Sequence, residues 1–306
     1  LKITRKQALE KYLKIVESSL DHGIIPRCHF EDITRADIYG FVVPFAQELM
    51  KLSQKYKMPV KIRACDTMGY GIAIPGAGLP RNVNGIIYAL KKYAGVPSEC
   101  IEWHGHNDFY RSLTNGVYAW LYGSCSVNGA FLGIGERTGN TPVEALVIEY
   151  LSLRGREGKE NLDTTVITEI AEYMKQNMGI KVPENQPLVG KDFNVTKAGI
   201  HADGITKNEE IYNIFDTKKV LNRPLSVGIT DKSGTSGIAY WINSNLKVPE
   251  NEKIQKNNDG ILKIRDLIEK EYNEGRVVAI SDEEMADMTR NNLPEIFKKY
   301  SGNLKI

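Results

Sequence analysis

Strand-like and helix-like runs alternate four times up to about residue 155, and no other feature of the 306 residues limits the possible folds so far. Thr4-Arg-Lys-Gln7 has the form of a capping box. Leu9, Leu13, Val16 and Leu20 then recur at spacings of four, three and four, one apolar face of a helix that Gly23 closes. Ile24 to Phe30 reads as a strand ending in Glu31-Asp32, and Ala36 to Tyr56 as a helix with a kink expected at Pro44. The pattern repeats: a strand from Val60 to Cys65 before Asp66-Thr67, a helix from Val83 to Tyr93, and a strand from Ile101 to Trp103 before His104-Gly-His-Asn-Asp108. A helix from Tyr110 to Tyr122, a strand from Ser124 to Phe131 before Gly133 to Asn140, and a helix from Pro142 to Leu153 complete it. Alternation at this length predicts parallel strands joined by crossover helices. In each unit the polar residues gather just after the strand, where barrels and open α/β sheets alike hold their sites. Four units do not close an eight-stranded barrel, so the sheet is either open or one half of a barrel.

The pattern stops after Gly155. Arg154-Gly-Arg-Glu-Gly-Lys-Glu160 reads as a polar linker, and Asp163 as the cap of a helix that runs to Met178. Residues 181–204 are rich in Pro, Gly, Asn and Asp and are expected to hold little regular structure. The division read from sequence is a partial barrel over 1–155, a smaller helix-and-loop subdomain over 158–250, and a helical tail over 251–306. In the tail, Ser281-Asp-Glu-Glu284 caps one helix, and Ile261, Ile264, Leu267 and Ile268 line another. The chain begins at Leu1 inside a helix pattern, which leads to the expectation that the natural protein starts earlier.

Composition excludes several classes. A net charge of +2 gives no field for nucleic acid or a membrane surface, and no apolar run approaches the roughly 20 residues a spanning helix needs. With no signal-peptide pattern, the cytoplasm is the expected location. Cys28, Cys65, Cys100 and Cys125 are scattered without a C-x-x-C pair and read as reduced core residues rather than a disulfide frame or a zinc site.

His104 and His106 lie two apart at a strand end, so both imidazoles face one side. Imidazole is the commonest protein ligand for divalent first-row metals, and two of the chain's five histidines share this strand end. The plainer reading is two unrelated surface histidines. Asp66 alone reads as a loop cap. Gly133-x-Gly-x-x-x-Gly139 misses the dinucleotide spacing by one residue, so its glycines are read as letting the backbone come close to a ligand, with Glu136, Arg137 and Asn140 as the polar payload. Arg27, His29 and Glu31 share a face by strand parity; they form an ion pair or, more sharply, place Arg27 to bind a substrate carboxylate. His201 sits between Gly199 and Gly204 with Asp203 nearby.

Together these segments resemble a known family. His104-Gly-His-Asn-Asp108 with Asn128-Gly-Ala-Phe-Leu-Gly-Ile-Gly-Glu-Arg-Thr-Gly-Asn140 resembles the isopropylmalate/homocitrate synthases, metal-dependent Claisen synthases related to hydroxymethylglutaryl-CoA lyase. Cys28-His-Phe-Glu-Asp-Ile-Thr-Arg35 resembles the family's F-S-x-E-D-x-x-R strand end, with Cys28 and His29 departing from it. Asp66-Thr-Met-Gly69 resembles its D-T-x-G segment, and Gly199-Ile-His-Ala-Asp-Gly204 its G-I-H-x-D-G loop. The likeness runs to about residue 245.

The resemblance implies that residues 1–155 form the C-terminal half of a (β/α)8 barrel, with a further metal ligand and a catalytic Arg on strands outside this sequence. It implies a divalent metal (Mn, Co, Zn or Mg) on His104 and His106, with Asn140 as a further candidate. Arg27, His29 and Thr67 would contact substrate. His201, assisted by Tyr212, would act as base, both residues crossing to the partner of a homodimer. The implied reaction condenses acetyl-CoA with a 2-oxo acid. Pro26 to Arg35 and Asp231-Lys-Ser-Gly234 look closest to the Re-face-specific branch that uses oxaloacetate. Homocitrate, isopropylmalate or citramalate synthesis, carbon–carbon cleavage as in the lyases, and a half-enzyme without activity of its own are the alternatives.

Overall fold

The computed structural model describes residues 3–154, 162–197, 201, 204 and 213–304. The chain divides into two compact units, Leu1–Leu162 and Asp163–Ile306.

In the first unit, α1 (Arg5–Asp21) starts at the expected capping box: Thr4 Oγ1 accepts from Gln7 N, and Gln7 reaches back to Thr4 N. There follow β1 (Arg27–Phe30), α2 (Val43–Tyr56), β2 (Lys61–Asp66), α3 (Val83–Lys92), β3 (Ile101–Gly105), α4 (Ser112–Tyr122), β4 (Ser126–Asn128) and α5 (Val143–Arg154). The strands pair in parallel in the order β1-β2-β3-β4, so each crossover helix returns the chain to the next position. Four consecutive βα units in sequential parallel order form one arc of a (β/α)8 barrel.

Strand parity splits the side chains. Ile62, Ala64, Ile101 and Trp103 are fully buried with Leu49, Ile86, Ile87 and Leu90 of the helices in one core. Each such aliphatic side chain contributes roughly 1.5–3 kcal/mol by leaving water. Arg27, His29, Arg63, Cys65, Glu102 and His104 take the alternate positions on the opposite face.

Two local expectations change. Pro44 does not kink α2. A π-helical segment, Ile38–Val42, precedes the regular helix, and Pro44 lies in the first turn of α2, where its missing N–H costs nothing. The fourth strand is short, because the chain turns at Phe131–Gly133 with Leu132 at φ 59°.

In the second unit, α6 (Val166–Met178) precedes the two-residue strands β5 (Val195–Thr196) and β6 (Ser226–Val227), which pair in parallel, with the short α7 (Thr217–Leu221) between them. Next come α8 (Gly234–Asn245), α9 (Asp259–Asn273), α10 (Asp282–Asn292) and α11 (Pro294–Tyr300). Residues 251–306 are not a separate tail. Ile261, Ile264, Ile268 and Met285 share one core with Val227, Ile238, Trp241 and Ile242. Among the described residues no helix is long and apolar enough to cross a membrane.

Arg276 ties α9 to α10 by donating to Glu271 Oε2 at 2.7 Å and to Glu284 Oε1 at 2.8 Å, while Glu284 also accepts from Ser281 N. These donors, Arg276 first, hold the Glu284 carboxyl at about 2, below its ordinary 4.5. A carboxyl lowered by folding adds stability above its unfolded value and loses it as pH falls toward its folded one. The Glu284 contribution is therefore expected to be complete above pH 4.5 and to fade toward pH 2. Glu284→Gln keeps the cap but removes the charge, so thermal midpoints of the variant should fall less steeply across that window. Equal slopes would refute this. The side chain is 42% exposed, so water screening keeps the effect modest.

Candidate active site

The polar face of the parallel sheet is layered along the strands. Nearest the strand starts, Glu102 on β3 is buried and receives two guanidinium groups: Arg27 Nε at 3.0 Å from Oε1, and Arg63 Nη2 at 2.9 Å from Oε2. Arg27 is therefore ion-paired, as the plainer reading had it, but to a carboxylate 75 positions away rather than to Glu31. One carboxylate between two permanent cations leaves a positive charge in excess in this layer, with the Glu31 carboxylate one layer further along the same face. The Arg27 side chain is 46% exposed, so part of its guanidinium remains open to solvent.

One layer further lie His29, Cys65, His104 and Asn128. His29 Nδ1 stands 3.7 Å from Glu31 Oε1, beyond hydrogen-bond reach. Thr67 holds the other oxygen of that carboxylate: its hydroxyl donates to Glu31 Oε2 at 2.8 Å and accepts from Asp32 N at 2.7 Å. The single Thr67 donor is thus committed to Glu31 in this state. Thr67 stands at the end of β2 on the substrate face, beside Glu31.

His104 Nδ1 lies 2.6 Å from Asn128 Oδ1. An amide oxygen only accepts, so Nδ1 carries the proton and Nε2 keeps its lone pair. Burial holds the His104 imidazole below the ordinary histidine value; the bond to Asn128 opposes this and nearby His106 adds to it. The ring is thus neutral at neutral pH, as a ligand must be. His106 packs edge-on against it, with ring centroids 5.1 Å apart. His106 is 7% exposed, and its buried Nδ1 has no hydrogen-bond partner among the described residues. Asn140 completes the group: its Nδ2 lies 3.3 Å from Gly105 O and 3.5 Å from His104 Nε2.

These residues fit a divalent metal. One imidazole offers a lone pair fixed by an outer partner, a second has a buried nitrogen with no partner among the described residues, and an amide stands beside them. A buried nitrogen left unpaired costs roughly 1–3 kcal/mol, which an ion at this position would offset.

The loop from Gly133 to Asn140 is shaped by its glycines. A Cβ on Gly139 would meet Gly133 O at 1.9 Å, and one on Gly135 would meet Asn140 Oδ1 at 2.0 Å. The glycines let the loop fold against itself and seat Asn140. Arg137 donates to Asp108 Oδ1 at 2.9 Å and also to Thr67 O, joining the ends of β2 and β3. Asp66 points away from the layer, accepting from Thr34 Oγ1, Tyr70 N and Gly71 N, and acts as a loop cap.

In the second unit, His201 Nδ1 lies 3.3 Å from Thr196 Oγ1. Tyr212 lies outside the described residues.

Arg63, Glu102 and Asn128 were not singled out from sequence. Parity could have found the first two, since Arg63 precedes Cys65 and Thr67 at steps of two, and Glu102 precedes His104 and His106 likewise.

A model of the HMGL-like family matches residues 1–174. The chain is 56% identical to the citrate (Re)-synthase of Syntrophus aciditrophicus (strain SB) over 97% of its own length and 47% of that protein's. It is 50% identical to the citrate (Re)-synthase of Clostridium kluyveri over 98% of its own length and 66% of that protein's. It is 32% identical to the 2-phosphinomethylmalate synthase of Streptomyces hygroscopicus, over 92% of this chain and 62% of the relative. The chain thus spans about half to two thirds of the length of these relatives.

Proposed function

The chain belongs to the HMGL-like family, and from that membership we propose that it condenses acetyl-CoA with the 2-oxo acid oxaloacetate, giving citrate and free CoA with uptake of one water. The observation that carries the reading is His104, whose Nδ1 is spoken for by Asn128 at 2.6 Å so that Nε2 is presented beside His106 and Asn140. The choice of oxaloacetate rests on identities of 56% and 50% to two citrate (Re)-synthases.

His104, His106 and Asn140 would hold the divalent ion. When bound, such an ion supplies Lewis-acid polarisation of a ketone carbonyl. The remaining work falls to the chain's own groups. The excess positive charge of Arg27 and Arg63 over Glu102 suits a dicarboxylate, and Arg27 and His29 are the side chains proposed to meet it. Thr67, which also orients Glu31, is proposed to contact the substrate from the neighbouring strand end. His201 is proposed to take a methyl proton from acetyl-CoA, assisted by Tyr212, and a homodimer is the proposed assembly. The resulting enolate carbon bonds to the keto carbon, the keto oxygen takes up a proton, and water cleaves the thioester to release the thiol.

Thiol release by the complete protein with acetyl-CoA and Mn2+, over a panel of 2-oxo acids, tests this. Oxaloacetate is expected to give the highest kcat/KM. Higher kcat/KM with 2-oxoglutarate, 2-oxoisovalerate or pyruvate would overturn the assignment, and no release with any of them would overturn the reaction class.

A further inference from the structure

Glu144, in the first turn of α5, is a buried carboxyl group that the proposed reaction does not use. It is 2% exposed, and no lysine or arginine pairs with it among the described residues. Burial pushes its carboxyl up, and two backbone N–H groups, its own and that of Leu132, pull it back. A carboxyl group taken out of water without a cation beside it costs stability rather than adding to it. Its presence in the fold therefore calls for another reason.

The bonds it makes supply one. Glu144 Oε2 accepts from Leu132 N at 3.0 Å. Leu132 stands at φ 59°, the left-handed region that costs a side chain with a Cβ roughly 1–2 kcal/mol. The bond to Glu144 holds it there. The turn so formed, Phe131–Gly133, presents Gly133 O to Asn140 N at 2.9 Å. Asn140 in turn places Nδ2 at 3.3 Å from Gly105 O and 3.5 Å from His104 Nε2. The base of the loop is pinned separately, by Ala130 N donating to Thr141 O and Val143 N to Ala130 O, both at 3.0 Å. Those two bonds close the loop but do not fix the left-handed residue within it; Glu144 does.

We propose that Glu144 is a positioning residue of the histidine–amide site. Through Leu132 and Gly133 it sets where Asn140 stands, without itself touching metal or substrate. The inference rests on the metal reading of His104, His106 and Asn140.

Mn2+ affinity of the complete protein, measured in a double-variant cycle, tests it. Glu144→Ala is expected to weaken Mn2+ binding by about tenfold, the lower end of what an outer partner of a ligand contributes. Asn140→Ala is expected to weaken binding by itself. Adding Glu144→Ala to it should then cost less than about twofold, because the residue through which Glu144 acts is gone. A carboxylate that merely supports the fold would cost the same factor in both backgrounds. Glu144→Gln keeps a carbonyl oxygen for Leu132 N and should bind within about twofold of the parent. Glu144→Asp keeps the charge but withdraws the oxygen by one methylene, so it should weaken binding as Glu144→Ala does. Circular dichroism checks the fold of each variant, and Glu144→Asp takes the place of Glu144→Ala in the cycle should the latter not fold. Equal factors in the two backgrounds, parent-like affinity in folded Glu144→Asp, or a loss in Glu144→Gln as large as in Glu144→Ala would overturn the inference. Absence of Mn2+ binding by the parent is a different failure, and would overturn the metal reading together with the inference built on it.

Discussion

His104→Ala is expected to weaken Mn2+ binding by more than the roughly 10- to 100-fold that loss of an outer-shell partner costs. The substitution removes the one imidazole whose ligand nitrogen is set by an identified hydrogen bond, from Nδ1 to Asn128 Oδ1 at 2.6 Å. His106→Ala should have a comparable effect, since His106 brings a buried ring nitrogen that finds no hydrogen-bond partner among the described residues. Asn128→Ala leaves both imidazoles but frees the His104 ring to rotate and to place its proton on Nε2. It should therefore fall within the 10- to 100-fold range itself. Calorimetric titration with Mn2+, with electron paramagnetic resonance counting the bound ion, measures all three. Parent-like affinity in both histidine variants would remove the metal assignment. Parent-like affinity in Asn128→Ala alone would show that packing, not the amide, sets the ring.

What the chain revealed before its structure follows from the range of each interaction. Hydrophobic periodicity acts over a few residues, so the four strands and their helices were legible within a few positions, as was the placing of polar groups after each strand. The capping boxes at Thr4 and Ser281 were legible for the same reason, since each closes over three residues. The shared carboxylate of Glu102 was not. It joins Arg27 across 75 positions and Arg63 across 39, and only the pairing of β1, β2 and β3 brings them together. The glycines of 133–139 were recognised as needed for close approach, but what approaches is the loop's own backbone and Asn140, a fact of the turn geometry. Pro44 was misread because a π-helical segment shifted the start of the regular helix, and no local periodicity signals such a shift. Thr67 was placed correctly at its strand end, yet its partner Glu31 comes from the neighbouring strand. Parity along a strand gives the face a residue occupies; the partner it meets there depends on register.

Asp66→Ala is expected to cost the first unit about 3–5 kcal/mol of stability, the scale of breaking a fully buried charged network. Asp66 is fully buried, and its carboxylate accepts from Thr34 Oγ1 at 2.9 Å, Tyr70 N at 2.8 Å, Gly71 N at 2.9 Å and, more weakly, Asn115 Nδ2 at 3.4 Å. Burial pushes this carboxyl up and the donors, Thr34 first, pull it down, so removing the acceptor leaves the donors to bear the penalty. Each buried donor without an acceptor costs roughly 1–3 kcal/mol, and relaxation of the loop toward water recovers part of the sum. Asp66→Asn keeps one acceptor oxygen in nearly the same shape and should cost less, about 1–3 kcal/mol. The damage should also reach the metal site, because Gly69 in the same turn packs where a Cβ would stand 2.8 Å from His106 O, and His106 N donates to Asp66 O at 3.3 Å. Denaturant unfolding measures the first effect and Mn2+ affinity of the folded variant the second. A stability loss below about 1 kcal/mol for Asp66→Ala would mean that the four donors find water or other acceptors, and that the turn between β2 and α3 is held by packing alone.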